Sequence, residues 1–217
     1  MKSMLLMSLF LVLFGVSCAC PVEKKPSPEK SKGQERPIKI ESKLIQAGYE
    51  LFSVIEAKKP LAKNTYLLAK RGETQVEIRD AAGFAQIVQG IASKEDALEL
   101  VRLLTSQELR PFLRDVYYTE VHQKTDDKDL WFAVTPAQYA QWKLHDPVVT
   151  EDNGIYKIER FVACYPRMIE KNQQKDMTAA QLVKIWETVD AKGKYTAEIK
   201  EVVAEGDDIQ KLLIFTK

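Results

Sequence analysis

Apolar and polar residues alternate most regularly near the end of the chain. The alternation that begins at Tyr195 predicts a half-buried strand over Tyr195–Val203. The turn residues Asp190–Gly193 precede it, so Leu182–Val189 is predicted to be its antiparallel partner. A helix over residues 179–189 is the alternative, because the apolar residues there also fit a helical stripe behind a capping sequence at Thr178. The strand is favoured, since Tyr195–Val203 needs a partner.

A second hairpin is predicted ahead of this pair. Asn153 and Gly154 both tolerate a positive φ, which a two-residue hairpin turn requires. Val148–Glu151 leads into this turn and Ile155–Tyr165 leads out of it. Leu212–Phe215 is predicted to be the last strand. The C-terminal half is therefore expected to form an antiparallel sheet.

The N-terminal half shows helical spacing and one hairpin. Thr65–Lys70 and Gln75–Arg79 flank a turn that contains glycine, which predicts a hairpin. Apolar residues at helical spacing predict a helix over Ala82–Ile91, and a capping sequence at Ser93 predicts another. Ile45–Ala57 fits neither period, so a helix and a strand both stay open there.

Short elements are predicted to connect the two halves. Asp115–His122 and Leu130–Val134 have strand composition. Thr135 and Pro136 are typical of a helix start, which predicts a helix over Ala137–Leu144. The pattern as a whole predicts an α+β fold, with helices and a hairpin in the N-terminal half and an antiparallel sheet in the C-terminal half. Residues 44–217 are expected to form one domain, with a subdivision near residue 114 as the alternative.

The first residues have the pattern of an export signal. Lys2 is followed by the uncharged apolar run Met4–Val16, which is shorter than the roughly 20 residues that a membrane-spanning helix needs. Gly15–Cys18 resembles the lipidation sequence of bacterial lipoproteins, with glycine where leucine is usual. We therefore predict an export signal over residues 1–17 and lipidation of Cys18. Cleavage before Cys20 is the alternative.

Residues 18–43 are predicted to be a disordered tether rich in proline, lysine and glutamate. The segment contains too few apolar residues to bury a core. A lipid anchor followed by a spacer predicts a protein held at a membrane of the bacterial cell envelope or in the periplasm. If Cys18 is not lipidated, the protein is expected to be secreted.

Composition excludes several classes of function. The chain has 217 residues and a net charge of +1, so no basic field for nucleic acid is present. The only cysteines are Cys18, Cys20 and Cys164, which predicts neither a disulfide framework nor a cysteine metal site. No phosphate loop, dinucleotide fingerprint, nucleophile elbow or zinc motif occurs. The sequence therefore predicts no cofactor and no metal.

Three residues are candidates for binding a ligand. Arg160 interrupts the apolar face of the predicted strand Ile155–Tyr165, where a charge is costly unless it is paired. It is expected to form a structural ion pair, to bind an anion, or to be turned to solvent by a bulge. Tyr118 and Trp131 belong to a group of aromatic residues in the middle of the chain. These aromatics can line a pocket, although core packing is the more common use.

Two groups of residues could support catalysis, so an enzyme is the alternative function. Cys164 is a candidate nucleophile with His122 or His145 as its base, but it shares an apolar strand face and is more simply a core residue. Glu120 and His122 are two apart and would share one face. The favoured function is a non-catalytic envelope protein that binds an unknown protein or small molecule or has a structural role. A hydrolytic enzyme and a subunit that assembles through its sheet edges are the alternatives.

Overall fold

A computed structural model describes residues 34–55, 65–116, 118–123, 133–164, 180–206 and 209. These residues lie in one compact unit, Lys32–Lys217. The predicted export signal, Cys18, Trp131 and the strand at Leu212–Phe215 lie outside the described residues. No helix within those ranges is both long and apolar enough to cross a membrane.

Four antiparallel strands form the N-terminal sheet in the order β1-β2-β3-β4. They are β1 (Gln34–Ile38), β2 (Glu50–Ile55), β3 (Thr65–Arg71) and β4 (Thr74–Ile78). Arg71 pairs with Thr74, so the predicted hairpin is confirmed and its turn consists of Gly72 and Glu73 only. Gly72 has a φ of +57°, a conformation that glycine adopts without steric cost.

The strand β1 corrects the predicted extent of the disordered tether. The tether was placed over residues 18–43, yet Gln34–Ile38 pairs with β2 along its whole length. Four of the five β1 side chains are exposed and only Ile38 packs against the core, so backbone pairing is the main contact that holds the strand. Composition alone does not reveal such a strand. Pro37 is compatible with it because β1 lies at the edge of the sheet.

Short helices connect the two sheets. They are α1 (Ala81–Ala85), α2 (Lys94–Leu104) and α3 (Pro136–Gln141), with a 3-10 helix at Arg110–Phe112. The predicted start of α2 is confirmed, because the Ser93 hydroxyl accepts a hydrogen bond from the Asp96 N–H at 3.1 Å. The predicted start of α3 is also confirmed, since Thr135 and Gln138 form a reciprocal capping box.

The helix predicted over Ala82–Ile91 ends at Ala85. Beyond that point the backbone pairs with another segment: the Gln89 N–H donates to the Leu44 carbonyl at 2.9 Å, and the Gln46 N–H donates to the Ile87 carbonyl at 2.8 Å. The apolar residues that suggested a helix are buried all the same, among them Ile87 and Val88. Helical spacing of apolar residues therefore marked a core segment correctly but not its backbone conformation.

Seven further strands follow. They are β5 (Tyr118–Glu120), β6 (His122–Gln123), β7 (Ala133–Val134), β8 (Val148–Asp152), β9 (Ile155–Cys164), β10 (Gln181–Asp190) and β11 (Tyr195–Glu205). The C-terminal sheet is antiparallel, with the order β11-β10-β9-β5 and with β8 also paired to β9; β6 and β7 form a separate parallel pair. The strand predicted over Asp115–His122 is shorter in the structure and is divided between β5 and β6.

Both predicted C-terminal hairpins are confirmed. Asn153 and Gly154 have φ values of +51° and +74°, and Asp152 pairs with Ile155 across them. The segment that was ambiguous between helix and strand is β10, which pairs with β9 on one side and β11 on the other. The fold is thus α+β and rich in strands. The N-terminal half contains a full sheet where only a hairpin was predicted.

The C-terminal sheet has two different faces. The inner face carries Arg160 of β9 and Glu187 of β10 and packs toward α2, where the main hydrophobic core joins residues of both sheets and of α1 and α2. The outer face carries Phe161 and Leu182 at one end, where a second hydrophobic cluster covers it. The other end of the outer face, around Trp186, is exposed.

Candidate functional site

Arg160 is fully buried on the inner face, and its guanidinium group is completely hydrogen-bonded. Nε and Nη2 donate to the two carboxylate oxygens of Glu187 at 2.5 and 2.8 Å. Nη1 donates to Glu120 at 3.2 Å and to the Thr105 hydroxyl at 3.3 Å, and Nη2 also donates to the Val101 carbonyl at 3.3 Å. These bonds use all five N–H donors that a guanidinium group has.

The carboxylates beside Arg160 are held by further partners. Arg102 donates two hydrogen bonds from Nε and one from Nη2 to Glu120, at 2.9 to 3.2 Å. Burial alone would raise the pKa of Glu120, but the hydrogen bonds from Arg102 and the charge of Arg160 outweigh it and lower that pKa. The Tyr195 hydroxyl donates to Glu187 at 2.7 Å. Burial and the charge of Glu187 together raise the pKa of Tyr195 well above its ordinary value.

These contacts make Arg160 the structural ion pair that the sequence allowed. No guanidinium hydrogen is left to donate to an anionic ligand, so the structure gives no support to the prediction that Arg160 binds one. Tyr118, the second predicted ligand-binding residue, is 3% exposed and packs with Val162 and Cys164. Trp131, the third, lies outside the described residues.

Cys164 is a core residue. Its side chain has no exposed surface, and it lies in a small apolar cluster with Tyr118, Val162, Val183 and Ile185. Burial raises the pKa of the thiol far above its ordinary value, so the thiol stays protonated at neutral pH. A thiolate nucleophile therefore has no support at this position, since the thiolate is the reactive form.

Within the described residues, Glu120 and His122 lie near each other. His122 Nδ1 is 4.0 Å from Glu120, but the Glu120 carboxylate is already bound by two arginines. A carboxylate held ionised in this way is poorly suited to act as a general acid. Among the described residues, no group of three or more histidine, cysteine, aspartate or glutamate side chains converges as metal ligands would. His145, the other histidine, lies elsewhere, with Nε2 3.3 Å from Glu159.

An open groove of about 460 Å³ lies on the exposed end of the outer face. Two rows of outward-facing side chains form its floor, and each row crosses the strands β8, β9, β10 and β11. We call this floor the Trp186 platform. Its first row is Val148, Glu159, Trp186 and Glu198, and its second row is Thr150, Lys157, Thr188 and Thr196.

Trp186 is the central apolar residue of this platform. It is 51% exposed, although tryptophan is largely buried in most folded proteins. Its indole Nε1 donates to Glu159 at 2.9 Å, and Lys200 Nζ lies 4.4 Å from the ring centroid as a cation–π contact. The ring is thus held in place by its neighbours while half of it faces solvent.

Glu159 is the polar centre of the platform. Besides the indole N–H, it contacts Lys184 Nζ at 2.7 Å and His145 Nε2 at 3.3 Å. The hydrogen bond from Lys184 is the main cause that lowers the pKa of Glu159. Glu159 is therefore an ionised acceptor at neutral pH, with one oxygen directed to the indole and the other to Lys184.

Sequence reasoning missed Trp186 as a site residue. It belongs to the apolar residues of 179–189, which were used only to decide between a helix and a strand. The signal that identifies it is strand parity. Once β10 is a strand, the buried residues Ile185 and Glu187 fix the inner face, and Trp186 between them must point outward.

Comparisons of the chain with protein-family models, with curated proteins and with solved structures found no match. The function must therefore be argued from the residues of the site. The geometry shows a half-exposed aromatic ring, held by its neighbours, among paired charges and hydroxyl groups.

Proposed function

We propose that the protein is an exported, lipid-anchored protein of the bacterial cell envelope, and that it binds a ligand or partner without catalysis through the Trp186 platform. The export part of this proposal rests on two features of the sequence: the apolar run Met4–Val16 within residues 1–17, and Cys18. Because Gln34–Ile38 is a strand, a tether that starts at Cys18 would end before Gln34.

The observation that carries the binding role is the exposure of Trp186. A tryptophan side chain that is half exposed and fixed by Glu159 and Lys200 gives a binding partner a large rigid apolar surface. Tryptophan is also enriched among the residues that contribute most to binding energy. The platform lies on β8–β11, elements of regular structure, so its geometry is set before a ligand arrives.

The two alternatives have less support. A hydrolase that uses Cys164 would need a thiolate, and one that uses Glu120 would have to release that carboxylate from Arg102 and Arg160. Assembly through the sheet edge would use β11, an edge strand within the described sheet. Two register irregularities interrupt the pairing of β11 with β10, and charged residues are frequent along it. Both features are typical of edges protected against pairing.

The anchoring is tested by metabolic labelling with a fatty acid. We expect the wild-type chain to take up label and the Cys18→Ser variant to take up none. Labelling of the Cys18→Ser variant, or a wild-type chain that is never labelled, would contradict the anchor while leaving the binding role untouched.

The binding role is tested by sedimentation of the purified compact unit Lys32–Lys217, which lacks the proposed signal and lipid anchor, with isolated cell envelopes stripped of the endogenous protein. We expect Trp186→Ala to lower the bound fraction, with the matched Val202→Ala variant unchanged. Val202 is a suitable control because it is 46% exposed and lies on the same sheet but outside the platform. Equal binding of wild type and Trp186→Ala would contradict the platform as the binding site.

A further inference from the structure

We propose that the Trp186 platform binds an electrically neutral oligosaccharide, with a sugar ring stacked on Trp186. This inference rests on the proposed binding function and specifies its ligand class. It follows from three properties of the platform: its shape, its charge balance and its hydrogen-bonding groups.

The shape is a strip that runs across four strands, with two exposed apolar side chains in one row. Val148 pairs with Glu159, which pairs with Trp186, so Val148 and Trp186 stand two strands apart in one row. Strands are about 4.8 Å apart, so the four strands of the platform give a row about 14 Å wide. Val148 and Trp186 are 49% and 51% exposed. A strip of this kind suits a short chain of rings better than a single compact ligand.

The charges of the platform cancel within the protein. Three lysines pair with three carboxylates, so the charges of these six side chains cancel. The pairs are Lys157–Asp152 at 3.2 Å, Lys184–Glu159 at 2.7 Å and Lys200–Glu198 at 2.6 Å. An anionic ligand would meet Glu159 and Glu198, and a cationic ligand would meet the lysines. The ligand that complements this balance is uncharged.

The hydrogen-bonding groups exclude a purely apolar partner. Glu159, Glu198 and Lys157 line the groove together with hydroxyl groups, and the hydroxyls of Thr188 and Thr196 are 2.6 Å apart. A lipid chain or an apolar helix would strip water from these groups and offer no hydrogen bonds in return. A sugar ring has an apolar face of C–H groups for the indole and a rim of hydroxyls for the polar side chains, so it satisfies both.

The backbone argues against a peptide strand on the platform. β9 and β10, which lie beneath Trp186, are each paired on both sides over this region. Their N–H and C=O groups are therefore used, and an added strand has no ladder to join there. An oligosaccharide can bind through side chains alone, without free backbone groups, and side chains are what the platform presents.

The test is isothermal titration of the full-length chain with four soluble probes at millimolar concentration. Three are neutral tetrasaccharides, cellotetraose, maltotetraose and chitotetraose, and the fourth is the anionic tetragalacturonate. We expect at least one neutral probe to bind, tetragalacturonate to bind more weakly, and Trp186→Ala to weaken binding by at least about tenfold, as for a dominant contact residue. Trp186→Phe keeps an aromatic face and is expected to lose less, and Val202→Ala is expected to match the wild type.

Three results would overturn the inference: no neutral probe binds, tetragalacturonate binds best, or Trp186→Ala binds the neutral probe as well as the wild type does. Envelope sedimentation separates this failure from failure of the proposed function. If sedimentation depends on Trp186 while no neutral probe binds, the saccharide is wrong and the platform remains a binding site. If neither measurement depends on Trp186, both proposals fail.

Discussion

The two faces of the C-terminal sheet carry similar charged groups in opposite environments. On the inner face, Arg160 and Glu187 have no exposed surface and bind each other, and Arg160 also donates to the Val101 carbonyl of α2. On the outer face, Lys184 and Glu159 retain about a quarter of their side-chain exposure. A buried charge depends on its partner, because its water has been removed, whereas an exposed pair can exchange its partner for water. The same chemistry therefore stabilises the fold on one face and is available for binding on the other.

Breaking the inner pair should have the largest effect on stability. Arg160→Met leaves Glu187 buried without its partner, and loss of one member of a buried pair costs about 3–5 kcal/mol. We expect this loss in the free energy of unfolding measured with urea. Removing both charges, as Arg160→Met with Glu187→Leu, should restore part of it, since no unpaired Glu187 charge remains. A loss below about 1 kcal/mol for Arg160→Met, as expected for an exposed pair, would remove the contrast between the faces.

Substitutions at Cys164 test whether solvent reaches the inner face near the end of β9. Cys164→Ser places a hydroxyl group in an apolar cluster, which costs about 1–3 kcal/mol when the hydroxyl finds no partner. Cys164→Ala is the control for lost volume without a new polar group. In a chain that also carries Cys18→Ser and Cys20→Ser, the Cys164 thiol should react with a thiol reagent at neutral pH only after denaturant is added. Rapid reaction of Cys164 in the native protein would show that this region admits solvent.

The alternation of apolar and polar residues in the sequence shows which residues share a face of one strand. It does not show which strands pair with each other. Arg160 was recognisable as a charge on an apolar face because Ile158 and Val162 flank it at a spacing of two. Its partner Glu187 was not recognisable, because the pattern of each strand does not show the register in which β9 pairs with β10. Trp186 was missed although a strand was favoured there, because alternation along one strand does not show which of its two faces is buried.

Local turn chemistry was more informative than composition. Asn153 and Gly154 specified their hairpin correctly because two consecutive positive φ values strongly restrict the residues that fit. The strand β1 was missed because its side chains are exposed and its stability comes from pairing with β2, a contact that leaves no apolar pattern. What sequence reasoning lacked was long-range pairing, which also assembles the Trp186 platform from four strands.

Acid should weaken the inner face through Glu120. Its pKa is lower in the folded protein than in the unfolded chain, so the ionised carboxylate contributes stability that is complete above the unfolded value of about 4.3. This contribution is lost as the pH falls through the lower folded pKa. We expect the free energy of unfolding to fall below about pH 4, and to fall less steeply in Glu120→Gln. Identical pH slopes for the two proteins would show that Glu120 is not held ionised by Arg102 and Arg160.

The smallest effect is expected on the outer face, at Glu159. Glu159→Gln keeps the size of the side chain and an oxygen acceptor for the Trp186 indole but removes the charge that attracts Lys184 and His145. Since exposed pairs contribute about 0–1 kcal/mol, the free energy of unfolding should change by less than about 1 kcal/mol. High salt should shrink the difference further, because ions screen exposed charges. A loss comparable to that of Arg160→Met would mean that the platform is part of the structural core and that its charges are not free to serve a ligand.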